Sequence, residues 1–265
     1  MFPHRRKQVE KRSPFKVAPL RIPGQSIDDE MFDLLWDKFL LWLAIPVVFV
    51  VVALLEWYRW FTKAPPLPIP YSILAVILIF IATFKFVVIK RRIADLKLGG
   101  EGELVVGQLL EDTRKHGYRV FHDIVGKDHN IDHVLVGPGG IFSIETKSVS
   151  KPRRGKTEIH FDGEKVLING IQPEKDPIVQ CKAEARELRN LIGDLTGRKF
   201  AVQPILVYPG WFVHPCENEK EVWVRNELKI FETLKSQRPT LSPEDIALIS
   251  HRLALHIRQP IEHKA

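Results

Sequence analysis

The sequence predicts an α/β domain with a mixed sheet flanked by helices, set behind two apolar helices. Three observations lead there. Two long, nearly uncharged stretches lie within the first 90 residues. Short runs of period-two alternation, broken by glycine-bearing turns, crowd residues 118–170. Segments of helical periodicity with strong N-caps then alternate with further strands.

The first apolar stretch, Phe39 to Leu55, reads FLLWLAIPVVFVVVALL, 17 residues without a charge. A bilayer span takes roughly 20 apolar residues, and Trp57, Tyr58 and Trp60 just beyond suit the headgroup belt. Pro46 is tolerable there, because neighbouring groups in a bilayer re-satisfy the freed carbonyl. The second stretch, Tyr71 to Ile89, carries one charge, Lys85, near enough to its end to snorkel toward Lys90, Arg91 and Arg92. The first run starts too far from residue 1 for a signal peptide. The expectation is a basic tail over 1–38, a transmembrane hairpin with spans at about 39–58 and 70–89, and a juxtamembrane linker over 90–98. Lys and Arg number seven in residues 1–27, two in the loop between the runs and four from Lys90 to Lys97. That asymmetry places both ends in the cytoplasm, giving a multi-pass protein of the cytoplasmic (inner) membrane with the lipid bilayer as a partner.

Net charge is +7, of which residues 1–27 supply +6; from Lys90 onward 28 basic residues face 25 acidic ones. The high pI therefore describes the tail and does not announce a basic nucleic-acid face on the folded part. The two cysteines, Cys181 and Cys216, form neither a zinc spacing nor a disulfide framework.

Past the apolar runs, GGEGELVVGQLLEDTRKHGY reads as a helix entered from a glycine turn and left at Gly117. Glu103 falls on the same stripe as Val106 and Leu110, so its carboxylate is either at the core's edge or in use. YRVFHDIV is a strand, and NIDHVLVGPGGIFSIETK a hairpin. TEIHFDGEKVLING is a second hairpin, with Asp162-Gly163 as its tight turn. Asp176 caps a helix that has Pro177 at its first position and an apolar stripe of Ile178, Cys181, Ala185, Leu188 and Ile192. Cys181 is thus core. FAVQPILV and EVWVRN are strands, and Ser242-Pro243 opens a last helix ending near Ile257.

The first hairpin holds charges that a hairpin core should reject. With Gly137 to Gly140 as the turn, residues whose numbers sum to 277 face each other, so Asp132 lies opposite Glu145. Lys147, two beyond Glu145, shares their face. A one-residue slip would destroy the arrangement. Opposed like charges are destabilising unless a cation offsets them, and hard oxygen ligands suit magnesium or manganese. Carboxylates, an ion and a nearby ammonium are what metal-assisted hydrolysis needs. On spacing alone, a carboxylate pairing with Lys147 at a solvated sheet edge accounts for the pattern equally well.

GEGE opening a helix, then NIDHVLVGPGGIFSIETK, then DPIVQ opening another helix resembles the nuclease-related domain (NERD) family, from about Gly99 to about Ile230. That family sits in the restriction-endonuclease-like PD-(D/E)xK superfamily. The resemblance implies a restriction-endonuclease-like mixed sheet in a domain over 99–235, with a C-terminal helical extension over 236–265. It implies metal-dependent hydrolysis of phosphodiester bonds in nucleic acid, with DNA ranked ahead of RNA as substrate, and Mg2+ or Mn2+ as the ion. By position it implies Asp132, Glu145 and Glu103 as metal ligands, Lys147 as the catalytic lysine and Gln180 as the glutamine opening the later helix. Asp176-Pro177 replaces the more usual Asn-Pro, and Asp caps as well as Asn. A catalytically inert module on the same fold, tethered at the membrane and binding nucleic acid or a partner protein, is the other reading.

Three further groups carry weaker signals. His122, His129 and His133 lie near Asp123, Asp128 and Asp132, but a strand turns His133 away from Asp132, and a hydrogen-bonded His133 on the opposite sheet face fits better than zinc. The loop KPRRGK offers Lys151, Arg153, Arg154 and Lys156 to a phosphate backbone, although such runs are more often simply solvated. Trp211 and Phe212 fit core packing better than base stacking.

Overall fold

The computed structural model describes residues 20–63, 65, 68–126, 130–152, 155–217 and 219–258. Most of the basic tail, Asp128, His129, Arg153 and Arg154 lie outside the described residues.

Helix α1 runs Gln25–Thr62 and α2 Pro68–Glu111. Both apolar stretches are helical, as expected, but among the described residues no helix is long and apolar enough to cross a membrane. The expected spans at 39–58 and 70–89 therefore gain no support from helix length and hydropathy. A second departure is at Gly99-Gly100, read as a turn: α2 passes straight through it. These glycines serve tertiary contact instead. Ile27 of α1 packs over Gly99 and Gly100, and Pro23 packs over Gly107. Close approach of another segment outweighs the roughly 1 kcal/mol that each glycine costs a helix interior.

A 3-10 turn over Asp112–His116 leads through Gly117, in the left-handed conformation, into β1 (Arg119–Val125). Strands β2 (Asn130–Gly137) and β3 (Gly140–Thr146) form the expected hairpin. Then come β4 (Glu158–Phe161), β5 (Val166–Ile168), α3 (Pro177–Thr196) and β6 (Val202–Val207). The chain continues with β7 (Phe212–Val213), β8 (Trp223–Arg225), α4 (Glu227–Lys235) and α5 (Pro243–Ile257). The sheet order is β1-β2-β3-β6-β8. The first three strands are antiparallel, while β3–β6 and β6–β8 are parallel, so the sheet is mixed. Strands β5-β4-β7 form a second, smaller sheet.

Period-two alternation distributes the core to both faces. Leu135, Phe142 and Ile144 pack with Val106 and Leu110 of α2 and Ile230 and Leu234 of α4. Their neighbours Val134, Val136 and Ile141 point the other way, onto Leu188 and Ile192 of α3 and Ile249 and Leu253 of α5. The domain is thus helices, sheet, helices. Helix α4 was not anticipated. Asn226 caps it, accepting from the Lys229 N–H at 2.9 Å, a start signal that the sequence does carry.

The segment before α1 is fastened to the domain. Arg21 Nε donates to Asp123 Oδ2 at 2.7 Å, and the Ser26 N–H and hydroxyl reach the same carboxylate at 2.9 and 2.6 Å. Asn130 donates to the Ser26 hydroxyl at 2.7 Å. Asp123 is buried in β1 at a φ of 49°, a left-handed conformation that Asp tolerates better than most residues.

Candidate functional site

The β2–β3 register is the expected one: His133 faces Ile144 and Val134 faces Ser143. At Asp132 the side chain takes over from the backbone, with Oδ2 accepting the Thr146 N–H at 2.8 Å. On the other strand edge Lys147 N–H donates to Val207 carbonyl at 2.8 Å, continuing the β3–β6 ladder and fixing the lysine's place. Asp132, Glu145 and Lys147 share the face that α3 covers.

Helix α3 begins where expected. Asp176 caps it by accepting the Ile178 N–H at 2.9 Å, and Pro177 fills the first turn. One turn in, Gln180 meets the hairpin: its amide oxygen accepts from Lys147 Nζ at 2.9 Å, and its amide nitrogen donates to Glu145 Oε1 at 2.9 Å. Lys147 Nζ itself donates to Glu145 Oε1. Four of the five residues expected at the site, Asp132, Glu145, Lys147 and Gln180, are therefore brought together.

Glu103 approaches from α2. Its helix comes close because position 102 is glycine: a Cβ there would stand 1.8 Å from Ser148 Oγ, just past Lys147. The glycine in GEGE thus has a steric reason. Burial, and next the charges of Asp123 and Glu145, push the Glu103 carboxyl up to about 7, with a hydrogen bond from the Gly24 backbone pulling the other way. Glu103 consequently senses both the hairpin and the segment ahead of α1.

The structure adds Glu184, which sequence reasoning passed over. It is fully buried on α3, accepts from Gln180 Nε2 at 2.8 Å, and is pushed up to about 9 by burial and then by Glu145. Its signal was available, since position 184 lies within the stripe marked by Cys181 and Leu188, where a carboxylate is out of place. Asp132 is likewise pushed well above the ordinary range, by burial first and then by Glu145 and Glu103. Burial works against the Lys147 ammonium, but Glu145 and Asp132 more than offset it and hold the group above its usual value.

Four carboxyl groups thus share a largely buried space with one ammonium. Glu145 Oε2 and Glu184 Oε2 are shut off from solvent and from every other donor, and a proton held on Glu184 is shared with Glu145. Once ionised, this set of buried, all-oxygen donors is of the type that hard divalent cations take. The expected ligand trio of Asp132, Glu145 and Glu103 is not drawn into one tight cluster, however. Among the described residues, the group of three whose ligand atoms lie within 4.8 Å of one another is Glu158, His160 and His214. Lys147 and Gln180 occupy Glu145 Oε1, and the Thr146 N–H occupies Asp132 Oδ2.

The weaker candidates also sort themselves. His133 packs on the opposite face, as expected, with its Nδ1 2.9 Å from His122 Nδ1; His122 Nε2 lies 3.0 Å from Glu111. Trp211 is core, donating to the Val149 carbonyl at 3.1 Å, whereas Phe212 is exposed. Lys151 and Lys156 are exposed, as a solvated loop requires.

Residues 98–209 match the family described as Nuclease-related domain (NERD), which is less than half of the chain. That region holds the hairpin, Glu103, Gln180 and Glu184. No curated protein matches the chain. Among solved structures it is similar to Pyrococcus furiosus SfsA in complex with Ca2+, at 16% identity over 59% of this chain and 51% of that one, with a TM-score of 0.21. The chain spans about half the length of that protein.

Proposed function

We propose that this chain is a metal-dependent nuclease on a restriction-endonuclease-like fold, hydrolysing phosphodiester bonds of nucleic acid, DNA by preference. The observation that carries this reading is the convergence of Glu145 and Glu184 on Lys147 and Gln180, with the Asp132 carboxyl close enough to feel Glu145, in a space sheltered from solvent. The match of residues 98–209 to a nuclease-related domain supports it.

Asp132 and Glu145 would hold Mg2+ or Mn2+, with Glu103 beside them. When bound, such an ion supplies the charge that lowers the pKa of water and offsets the charge developing on phosphate. Lys147 is pinned by Glu145 and Gln180, so its ammonium is fixed in direction and can orient the attacking water or hold a phosphate oxygen. Gln180 sets the positions of Lys147, Glu145 and Glu184 together. The exposed Lys151 and Lys156, with Arg153 and Arg154, would steer the backbone of the substrate.

The test is incubation of the full chain with labelled single- and double-stranded DNA and RNA in magnesium, manganese or chelator. Cleavage should need metal and should vanish in Lys147→Ala and Glu145→Gln. A tethered binding module is the second reading, favoured by the near balance of 28 basic and 25 acidic residues beyond Lys90. Binding of nucleic acid or a partner protein that survives Asp132→Ala, with no cutting by either form, would decide for it.

The same proposal includes a membrane tether, with the N-terminus and the nuclease-like domain in the cytoplasm. It rests on the two apolar stretches, the Lys and Arg asymmetry, and the outward-facing apolar side chains Val47, Val51, Leu54, Val76, Phe80 and Phe84. Exposed apolar surface of this extent calls for lipid or protein cover. Retention in carbonate-washed membranes is expected; release into the wash would remove the tether from the proposal.

A further inference from the structure

We propose that the open face of the small β5-β4-β7 sheet is a stacking platform for the bases of an unpaired nucleic-acid strand, with Phe212 as its central contact. The kind of polymer rests on the nuclease reading above; its form, a single strand, is what this face adds. Period-two alternation divides the small sheet. Ile159, Phe161 and Val166 face inward, packed with Ile178, Tyr208 and Trp211. Leu167, Glu158, His160 and Phe212 alternate with them and face the other way. The His214 N–H donates to the Ile159 carbonyl at 2.9 Å, which sets His214 beside His160 on that same open face.

Three rings form a row there. Phe212 meets His214 edge-on, with centroids 4.8 Å apart and planes at 88°. His214 stacks on His160, with centroids 3.9 Å apart and planes at 15°. Glu158 Oε2 lies 3.6 and 3.5 Å from the Nε2 atoms of His160 and His214, so one carboxylate steadies both imidazoles. Phe212, which the sequence assigns to the core, is 56% exposed. A lone phenyl at a surface calls for no explanation. A row of flat rings on the open face of a sheet offers π-faces to bases, and its order is set before any base arrives.

Cations flank the row. The loop KPRRGK, Lys151 to Lys156, carries four of them and no acid. Both ends of the loop are tied to the residues at the phenyl. Trp211 Nε1 donates to the Val149 carbonyl at 3.1 Å, and the Phe212 N–H donates to the Thr157 carbonyl at 3.2 Å. A groove lined by Pro152, Gly155, Lys156, His160 and Asn169 joins loop and sheet. Phosphates on the loop and bases on the rings is how single strands are held without sequence preference. Glu158 argues against a purely anionic occupant, such as a lipid headgroup or an acidic peptide. A carboxylate repels those, but it accepts from the amino group of a base edge. A duplex fits less well, because its bases already stack on one another. The turn before β7 also reaches the carboxyl cluster: the Lys147 N–H donates to the Val207 carbonyl at 2.8 Å, and Pro209 lies against Gly102. A strand held at Phe212 is thus held near Lys147.

The test is fluorescence anisotropy of labelled single-stranded oligodeoxynucleotides on the full chain, in neutral detergent, with chelator present so that nothing is cut. Phe212→Ala should weaken single-strand binding about fivefold or more, while binding of the matching duplex changes less than about twofold. Phe212→Trp should bind as tightly as the wild type and Phe212→Leu as weakly as Phe212→Ala, which separates stacking from apolar area. Lys156→Ala should weaken strand and duplex alike. Circular dichroism checks that each variant folds. The readout is independent of cutting. Metal-dependent cleavage by the wild type, with single-strand binding unchanged in Phe212→Ala, would sink the platform and spare the nuclease. A selective loss in Phe212→Ala, with no cleavage by the wild type, would do the reverse. Folded wild-type chain that binds no single strand, or from which polyglutamate displaces the strand as well as unlabelled oligonucleotide does, would overturn the proposal.

Discussion

Gln180 donates from one amide nitrogen to both Glu145 and Glu184, at 2.9 and 2.8 Å, while its amide oxygen accepts from Lys147 at 2.9 Å. A single side chain on α3 thus ties two buried carboxyls and an ammonium together. Amide is the group this position needs, because no charged residue can donate to carboxylates and accept from an ammonium at once.

Replacing Gln180 by Ala should therefore do two things. It strips partners from three polar groups in a space with little water, which costs about 1–3 kcal/mol of stability. It also frees Lys147 to turn wholly onto Glu145. Urea unfolding in chelator should show the loss as a lower midpoint at unchanged slope, and cleavage should fall by a larger factor than nucleic-acid binding. An unchanged midpoint would mean that Gln180 is a bystander.

The raised carboxyls make the site a proton store. With Glu184 near 9 and Glu103 near 7, the folded, metal-free protein holds protons at neutral pH that unfolded Glu side chains have released. The sign follows from linkage: a folded pKa above the unfolded one gives stability that is full below about 4.5 and lost as pH rises through the folded value. Melting temperature in chelator should thus fall between about pH 5 and pH 9 from these groups. Magnesium requires ionised carboxylates and should reverse the trend, releasing roughly one proton per ion at pH 7. Calorimetric titration in two buffers of different ionisation heat measures that release, and Glu184→Gln should reduce it. Binding without proton release would place the ion elsewhere.

Gly102 offers a steric test of how Glu103 is delivered. A methyl there would meet Ser148 Oγ at 1.8 Å and Pro209 Cγ at 3.3 Å. Gly102→Ala should gain a little helix propensity but lose more to overpacking, a net of about 1–3 kcal/mol. Because the worst contact is a side-chain oxygen, Ser148→Ala in the same chain should recover part of the loss. Equal stability of the single and double variants would show that the helix shifts instead, and then Glu103 should lose its raised pKa.

What was legible follows the range of the interactions. The β2–β3 register, which brings Asp132 toward Glu145, was readable because a four-residue turn fixes the register of everything that follows it in the hairpin. Asp176-Pro177 was readable because an N-cap is a local event. Gly99-Gly100 misled for the opposite reason: a glycine pair signals a turn locally, yet Ile27 packing over it is a contact across some 70 residues of sequence. Glu184 went unnoticed because it follows the helical rule for a buried position while breaking the rule for residue type. The triad of Glu158, His160 and His214 was out of reach altogether, since β7 is two residues long and shows no period.

The segment ahead of α1 bears on the site through Asp123. That carboxylate takes Arg21, the Ser26 N–H and the Ser26 hydroxyl, and Gly24 in the same segment donates to Glu103. The chain entering α1 therefore touches a residue of the carboxyl cluster. Asp123→Ala leaves a guanidinium and a hydroxyl without their acceptor in a partly buried setting, costing about 1–3 kcal/mol, and also places a β-carbon residue less suited than Asp at a φ of 49°. Asp123→Asn keeps the conformation and one acceptor oxygen, so it should lose less. Hydrogen exchange at residues 22–28 reports the release directly. If the segment is part of the site's framework, exchange there should quicken in Asp123→Ala and magnesium affinity should drop with it. Faster exchange with unaltered affinity would make the contact a fastening of α1 to the domain and nothing more.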